Sequence, residues 1–383
     1  MTLPEILSSE PLRQLEFPVV RDKIFLAHAG VCPLPRRVAD AIRHYAELCT
    51  QGDQETLLPA HLISRSRALA GRLLNARLEE IAFVGPTSLA LSFVAAGLNL
   101  GRNDNVLIYF DDYPANVYPW MALAERGVEV RRLNTRELGH IRPMDVLGQV
   151  DERTRLVALA SCHFVSGYRI DLDAIGQALR QRNILFCVDA IQTLGAFPTT
   201  VEHIDFLAAD AHKWLLGPCA AGIFFVRKSL QERLHPTVFG WHNVRCPNYV
   251  AEEGIVFRVD ARRYEAGSQN LLGLVGLSAA LELVLEIGIG NIADELLRKR
   301  ALLVPALKNK AYTVLNAEAP LAHASGIVTF YRDGDDMAAL YGKLEAAGII
   351  TSLRSDRTGR EYLRLSPHFY NTDAELQRVL DIV

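Results

Sequence analysis

The sequence predicts an α/β fold, with a large domain on a mostly parallel sheet and a smaller α+β domain at the C-terminus. Three observations predict it. Residues 105–110 (Asn-Val-Leu-Ile-Tyr-Phe), 155–160 and 184–189 are nearly continuous apolar runs with polar residues at their ends. Strands buried on both faces have this pattern, and they belong to parallel sheets covered by helices. Helix-period stretches lie between the runs, as at residues 171–182, where Leu172, Ile175 and Leu179 share a face. After residue 270 the style changes to long helical stretches followed by short strands.

The 383 residues exceed one ordinary core. The predicted division is 21–270 for the large domain and 271–383 for the small one, with residues 1–20 packed beside the latter. Within the small domain, helices are expected at 271–286, 292–307 and 336–347, and strands at 326–331, 349–353 and 362–365. Thr372-Asp-Ala-Glu375 is a capping box that opens a terminal helix.

Half the residues are apolar and 22% are charged, the composition of a globular protein. A net charge of -3 supplies no field for nucleic acid, and the basic pairs (Arg36-Arg37, Arg131-Arg132, Arg262-Arg263) lack interleaved aromatics. Six scattered cysteines without a C-x-x-C pair, and no histidine at ligand spacing, suggest free thiols in a cytoplasmic enzyme and no metal site. The acidic N-terminus shows no signal peptide. The apolar stretch 271–289 is interrupted by Glu282 and Glu286, so a buried helix is expected there and no membrane span.

The strongest chemical signal is Asp210-Ala-His-Lys-Trp-Leu-Leu-Gly-Pro218, directly after the apolar run 204–209. A lysine at a strand end, pressed among His212, Trp214 and apolar neighbours, is partly desolvated, which lowers its pKa and frees a nucleophilic amine. Asp189 ends an apolar run and is followed by Ala-Ile-Gln192. Taken singly, it serves equally as a helix N-cap or as counter-ion to a protonated pyridine nitrogen. Gly85-Pro-Thr-Ser88 precedes an apolar helix whose N-terminus is an anion site, although Thr87 and Ser88 would look the same as ordinary caps.

Together these segments resemble the class V aminotransferase family of fold-type I pyridoxal-phosphate (PLP) enzymes, which includes cysteine desulfurases and isopenicillin N epimerase. The resemblance runs from Phe25-Leu-Ala-His-Ala-Gly-Val-Cys-Pro-Leu-Pro35 to Tyr362-Leu-Arg-Leu-Ser-Pro-His-Phe-Tyr-Asn-Thr372. It implies PLP as cofactor, Lys213 as the Schiff-base lysine, Asp189 as partner of the pyridine nitrogen and Gln192 beside the phenolic oxygen. Thr87, Ser88 and His212 would hold the phosphate, and Tyr113 would stack on the ring where relatives carry histidine. His163 falls in a loop that contacts cofactor or substrate. Ser268, in Arg263-Tyr-Glu-Ala-Gly-Ser-Gln-Asn270, would reach the partner's cofactor across a homodimer interface. Arg364 would grip the substrate α-carboxylate with a bidentate fork. His28, Tyr113, His163, Trp241, His242 and Arg354 are candidate lining for the substrate pocket.

For the reaction, desulfurases of this family need a nucleophilic cysteine on a loop of the C-terminal half. The chain has no cysteine after Cys246, and neither 316–325 nor 352–360 carries one. The expectation is therefore not a persulfide-forming cysteine desulfurase; the family resemblance puts first an aminotransferase acting on a small amino acid or amine. A β-elimination lyase or an epimerase is the alternative, and Lys213 is the base that removes the α-proton. A non-catalytic PLP carrier is disfavoured, because storage needs no carboxylate clamp.

Overall fold

The computed structural model describes all 383 residues, Met1–Val383. The chain begins with helices α1 (Leu3–Ser8) and α2 (Glu10–Glu16), a short strand β1 (Ile24–Phe25), and helices α3 (Arg36–Leu48) and α4 (Leu62–Leu74). Strand β2 (Ile81–Phe83) and helix α5 (Thr87–Gly97) follow. The central layer continues as β3 (Asn105–Ile108), α6 (Tyr118–Met121), β4 (Glu129–Arg132), α7 (Pro143–Leu147), β5 (Thr154–Ala160), α8 (Leu172–Gln181), β6 (Leu185–Asp189), β7 (Phe206–Ala209) and β8 (Ile223–Val226).

Seven of these strands form one sheet in the order β2-β8-β7-β6-β5-β3-β4. The neighbours from β7 through β4 are parallel, and β8 alone runs in the opposite direction, between β7 and the edge strand β2. The apolar runs read from the sequence are its inner strands. Their period of two sends alternate side chains into two cores. Phe186 and Val188 enter one, with Leu107, Val157 and Leu207. Leu185 and Cys187 enter the other, with Val106, Leu156 and Phe206. A sheet buried on both faces explains the lack of polar alternation.

The remaining elements are α9 (Leu271–Ile287), α10 (Ile289–Asn309), β9 (Thr313–Val314), β10 (Val328–Tyr331), α11 (Met337–Ala346), β11 (Ile349–Ile350), β12 (Ser352–Ser355), β13 (Glu361–Leu365) and α12 (Asp373–Ile382). Strands β12-β13-β10-β9 make a small antiparallel sheet. The capping box of α12 is formed as read, with Thr372 and Glu375 each accepting the other's backbone N–H. Helix α9 packs Leu274, Leu277 and Leu281 into the large sheet's core. At Gly288, with φ of 89°, the chain bends by 75° into α10. No single helix is long and apolar enough to cross a membrane.

The N-terminal segment lies against the small sheet's side of the molecule. Strand β1 pairs in parallel with β11, Arg13 bridges to Glu375 at 2.7 Å, and Phe17 stacks on Tyr370 with centroids 4.0 Å apart.

Candidate active site

In open α/β sheets, ligands bind beyond the carboxyl ends of the strands. Here the ends of β3, β5, β6 and β7 release the loops carrying Tyr113, Phe164, Asp189 and Lys213. One cavity of about 310 Å³ forms where those loops meet the N-terminus of α5, the 29–31 segment and the small sheet. Its walls include Lys213, Asp189, Gln192, Thr87, Ser88, Tyr113, His212 and Arg364. Eight residues from distant stretches of sequence thus converge.

Lys213 is 6% exposed. Burial lowers its ammonium pKa to about 8; the charge of Asp189 opposes the shift, while Arg364 and Arg354 reinforce it. Its Nζ lies 5.3 Å from the centroid of the Tyr113 ring, which is 48% exposed and meets Phe164 edge-on. Asp189 accepts a 3.0 Å bond from the Ile191 N–H. Burial raises its carboxyl to about 7, Asp112 pushes the same way, and Lys213 pulls it down. Gln192 is fixed from both ends. Its Nε2 donates to Ala29 O at 3.1 Å and its Oε1 accepts from Trp214 Nε1 at 2.9 Å.

The opposite end of the cavity suits a phosphate. Helix α5 has no side-chain cap, so amides of its first turn point outward. The Thr87 hydroxyl accepts from the Asp210 N–H at 2.9 Å, which fixes it beside β7, and Ser88 lies next to it on the wall. His212 Nδ1 meets Asp210 Oδ2 at 2.9 Å. Burial would raise the Asp210 carboxyl, but hydrogen bonds from His212, Ala220 and Ala211 outweigh it and hold the group ionised.

Arg364 is 1% exposed. Its Nη1 donates to Phe164 O at 2.6 Å and its Nη2 to Ser352 Oγ at 3.3 Å, while Nε has no partner. Burial, reinforced by Arg354, lowers its pKa to about 9. A buried guanidinium with no carboxylate and one unfilled donor is prepared for an anionic ligand.

Five of the expected residues do not line this cavity. His28 is fully buried, with Nδ1 against Ser366 O at 2.9 Å and Nε2 against the Tyr370 hydroxyl at 2.7 Å, so no ring nitrogen is left for substrate. His163 spends its nitrogens on Ser166 Oγ and Asp111 O, and its neighbour Phe164 lines the cavity instead. Burial holds both imidazoles neutral, lowering each pKa to about 4. Ser268 lines a separate surface cleft with Gln269 and Asn270. Trp241 lines a third groove, and His242 is bonded to Glu265 O at 3.0 Å; neither borders the cofactor cavity.

Sequence reasoning missed Asp112. It is buried under Tyr113 and accepts from Tyr113 N (2.7 Å), Asn116 Nδ2 (3.0 Å) and Ala160 N (3.2 Å), which sets the Tyr113 loop on β5. The Asp-x-x-x-Asn spacing was the available signal.

A lysine of lowered pKa, a carboxylate opposite it, an anion-binding helix end and a lone guanidinium define a fold-type I PLP enzyme. The comparisons refine the class. The family profile Aminotransferase class-V matches residues 24–379, and the chain belongs to that family, with PLP as its cofactor. A probable cysteine desulfurase of Methanothermobacter thermautotrophicus is 29% identical over 97% of this chain and 96% of its own length. An uncharacterized aminotransferase of Bacillus subtilis is 27% identical over 97% and 96%. Among solved structures, the apo cysteine desulfurase of Thermococcus onnurineus NA1 superposes with a TM-score of 0.89 at 21% identity, covering 100% of this chain and 97% of that one. A cystine C–S lyase in complex with cysteine persulfide gives 0.87 at 21%, covering 95% and 98%.

These relatives correct the expected reaction. Neither an aminotransferase nor the exclusion of a desulfurase stands against likeness over 97% of the chain to a protein named a probable cysteine desulfurase, with others so named matching 73% of it. The lyase and epimerase alternatives fit no better. The missing thiol at 316–325 and 352–360 was given too much weight. That argument fixed the sulfur acceptor at one place in the chain, whereas the cofactor site does not depend on where the accepting thiol resides. All six cysteines are free, and Cys219 is exposed.

Proposed function

We propose that the chain is a PLP-dependent cysteine desulfurase-type enzyme, removing sulfur from a small sulfur-bearing L-amino acid with L-cysteine as the reference substrate. The observation that carries the reading is the convergence of Lys213, Asp189 and Arg364 on one cavity, in a chain resembling named desulfurases along its whole length.

Bound there, the cofactor supplies the electron sink that acidifies the substrate Cα–H and loosens the bond to sulfur. The protein does the rest. Asp189 would keep a positive charge on the pyridine nitrogen, and Thr87, Ser88, His212 and the α5 amides would hold the phosphate. Gln192 has an N–H to spare that would serve the phenolic oxygen, and the Tyr113 ring on the cavity wall would offer the cofactor an aromatic face. Arg364 orients the α-carboxylate, which sets the Cα–H towards Lys213. The Lys213 amine, whose neutral form burial makes more accessible than in a free lysine, carries the proton at Cα. Phe164 closes the wall against water. The C–S bond breaks as an acceptor thiol takes the sulfur into a persulfide S–S bond and the carbon takes a proton, leaving alanine; a second thiol then releases the sulfur as sulfide and forms a disulfide.

This reading includes a homodimer, with Ser268 serving the partner's site, and cytoplasmic placement, which the free thiols favour. The test is to give the PLP-loaded protein L-cysteine with an excess of small thiol and quantify sulfide and alanine. Equal amounts of both are expected. Keto acid without sulfide would end the desulfurase reading.

A further inference from the structure

Arg354 has no assignment in the reaction above. It stands on β12 opposite Tyr362 of β13, and Arg364 stands opposite Ser352. Residues facing each other across an antiparallel pair share a face, as do residues two apart on one strand. Arg354 and Arg364 therefore project from the same face of the small sheet as diagonal neighbours. Both Nη2 atoms lie 3.8 Å from the point a Cβ on Gly30 would occupy, so the two guanidiniums converge on the bare backbone of that glycine. Both line the cavity.

Like charges placed diagonally on a sheet face repel, and proteins usually insert an acid. The same stretch of chain shows that remedy nearby. Arg357 pairs with Asp111 at 2.6 Å and Arg360 with Asp333 at 3.5 Å. Arg354 makes only a 3.0 Å bond from Nη1 to its own neighbour's carbonyl, Leu353 O. Asp189 is the one carboxylate on the cavity wall, and it lies with the Lys213 group. Once the phosphate is held at α5 and an α-carboxylate at Arg364, Arg354 is a cation without a counter-charge.

We propose that Arg354 selects substrates carrying a second carboxylate on the sulfur side, a few bonds from the α-carboxylate held by Arg364. The inference deepens the desulfurase reading and relies on it only for which end of the substrate faces Arg354. The ligand class is a short S-substituted cysteine ending in a carboxylate, whose planar anion suits a guanidinium fork.

The test uses two isosteres that differ only in charge, S-carboxymethyl-L-cysteine and S-carbamoylmethyl-L-cysteine. Each is titrated into PLP-loaded wild type, Arg354→Gln and Arg354→Lys, with binding read by calorimetry and by the visible cofactor band. The wild type should prefer the acid about tenfold or more, as expected for a charge-assisted hydrogen bond. Arg354→Gln should erase the preference by weakening the acid alone, and Arg354→Lys should restore part of it. Equal weakening of acid and amide would mean that both arginines hold the α-carboxylate, and would overturn the proposal. So would a wild type without charge preference. An unchanged cofactor band and melting temperature certify that each variant is folded. Sulfide release from L-cysteine, measured on the same wild-type sample, reports separately on the desulfurase reading.

Discussion

At the scale of single residues, the site works through burial. Lys213 has its amine pKa brought to about 8 because a charged ammonium is poorly solvated among Trp214, Tyr113 and the strand ends. The neutral amine is the species that condenses with an aldehyde, and it predominates above that pH. Cofactor uptake by the PLP-free protein should therefore accelerate from about pH 7 to about pH 9 and then level off. An acceleration still continuing beyond pH 10, where an unperturbed lysine titrates, would show that burial does not tune the amine. Lys213→Ala should yield no cofactor-bearing peptide in mass spectra after borohydride reduction; a labelled peptide from that variant would refute the attachment site. Asp189 and Lys213 could be singled out in the sequence because Asp189 ends an apolar run and Lys213 follows one by four residues, and a strand end limits where such residues go. His28 and His163 were misread for the complementary reason. A motif places a residue in a loop but does not say which way the ring turns, and here both rings turn inward to Tyr370 and Asp111.

At the scale of elements, α5 and the β12–β13 pair define the two ends of the cavity. The α5 N-terminus combines unpaired amides with the positive end of the helix dipole. Placing a carboxylate there by Ser88→Asp should fill the anion site from within. Apparent PLP affinity should drop about tenfold or more (~1.4 kcal/mol), measured by equilibrium dialysis. The variant helix should be no less stable, since an acidic first turn suits it. Unaltered affinity would remove the phosphate from this helix end. This function was half legible, because Gly-Pro-Thr-Ser before an apolar helix reads as a cap or as an anion site until the fold shows what faces it. The β12–β13 pair was less so. Both strands appear in the sequence pattern, but their register, which brings Arg354 and Arg364 onto one face, is set by long-range pairing that no local spacing encodes.

At the scale of the whole molecule, residues 24–32 tie the two sheets together at the cavity. His28 N and Ala29 N donate to Ser366 O and Ser366 Oγ on the small-sheet side, at 3.2 and 3.1 Å. Cys32 N donates to His212 O at 2.8 Å on the large-sheet side, and Ala29 O receives Gln192. The Gly30 on which the two arginines converge lies between these anchors. The segment also shares an apolar cluster, through Ala29 and Cys32, with Phe17, which follows the N-terminal helical pair, is 2% exposed and packs against Tyr370 and Phe369. Phe17→Ala would leave a cavity against rings that cannot collapse into it, at a cost of about 3–5 kcal/mol. The urea midpoint should fall accordingly with an unchanged slope. Because Phe17 lies outside the cavity yet shares an apolar cluster with Ala29 on its wall, the same variant should also release PLP faster than wild type. A protein that loses the full stability yet holds its cofactor as before would show that the N-terminal helices brace the fold without bracing the site. Residues 1–20 would then be a clamp on the small sheet alone.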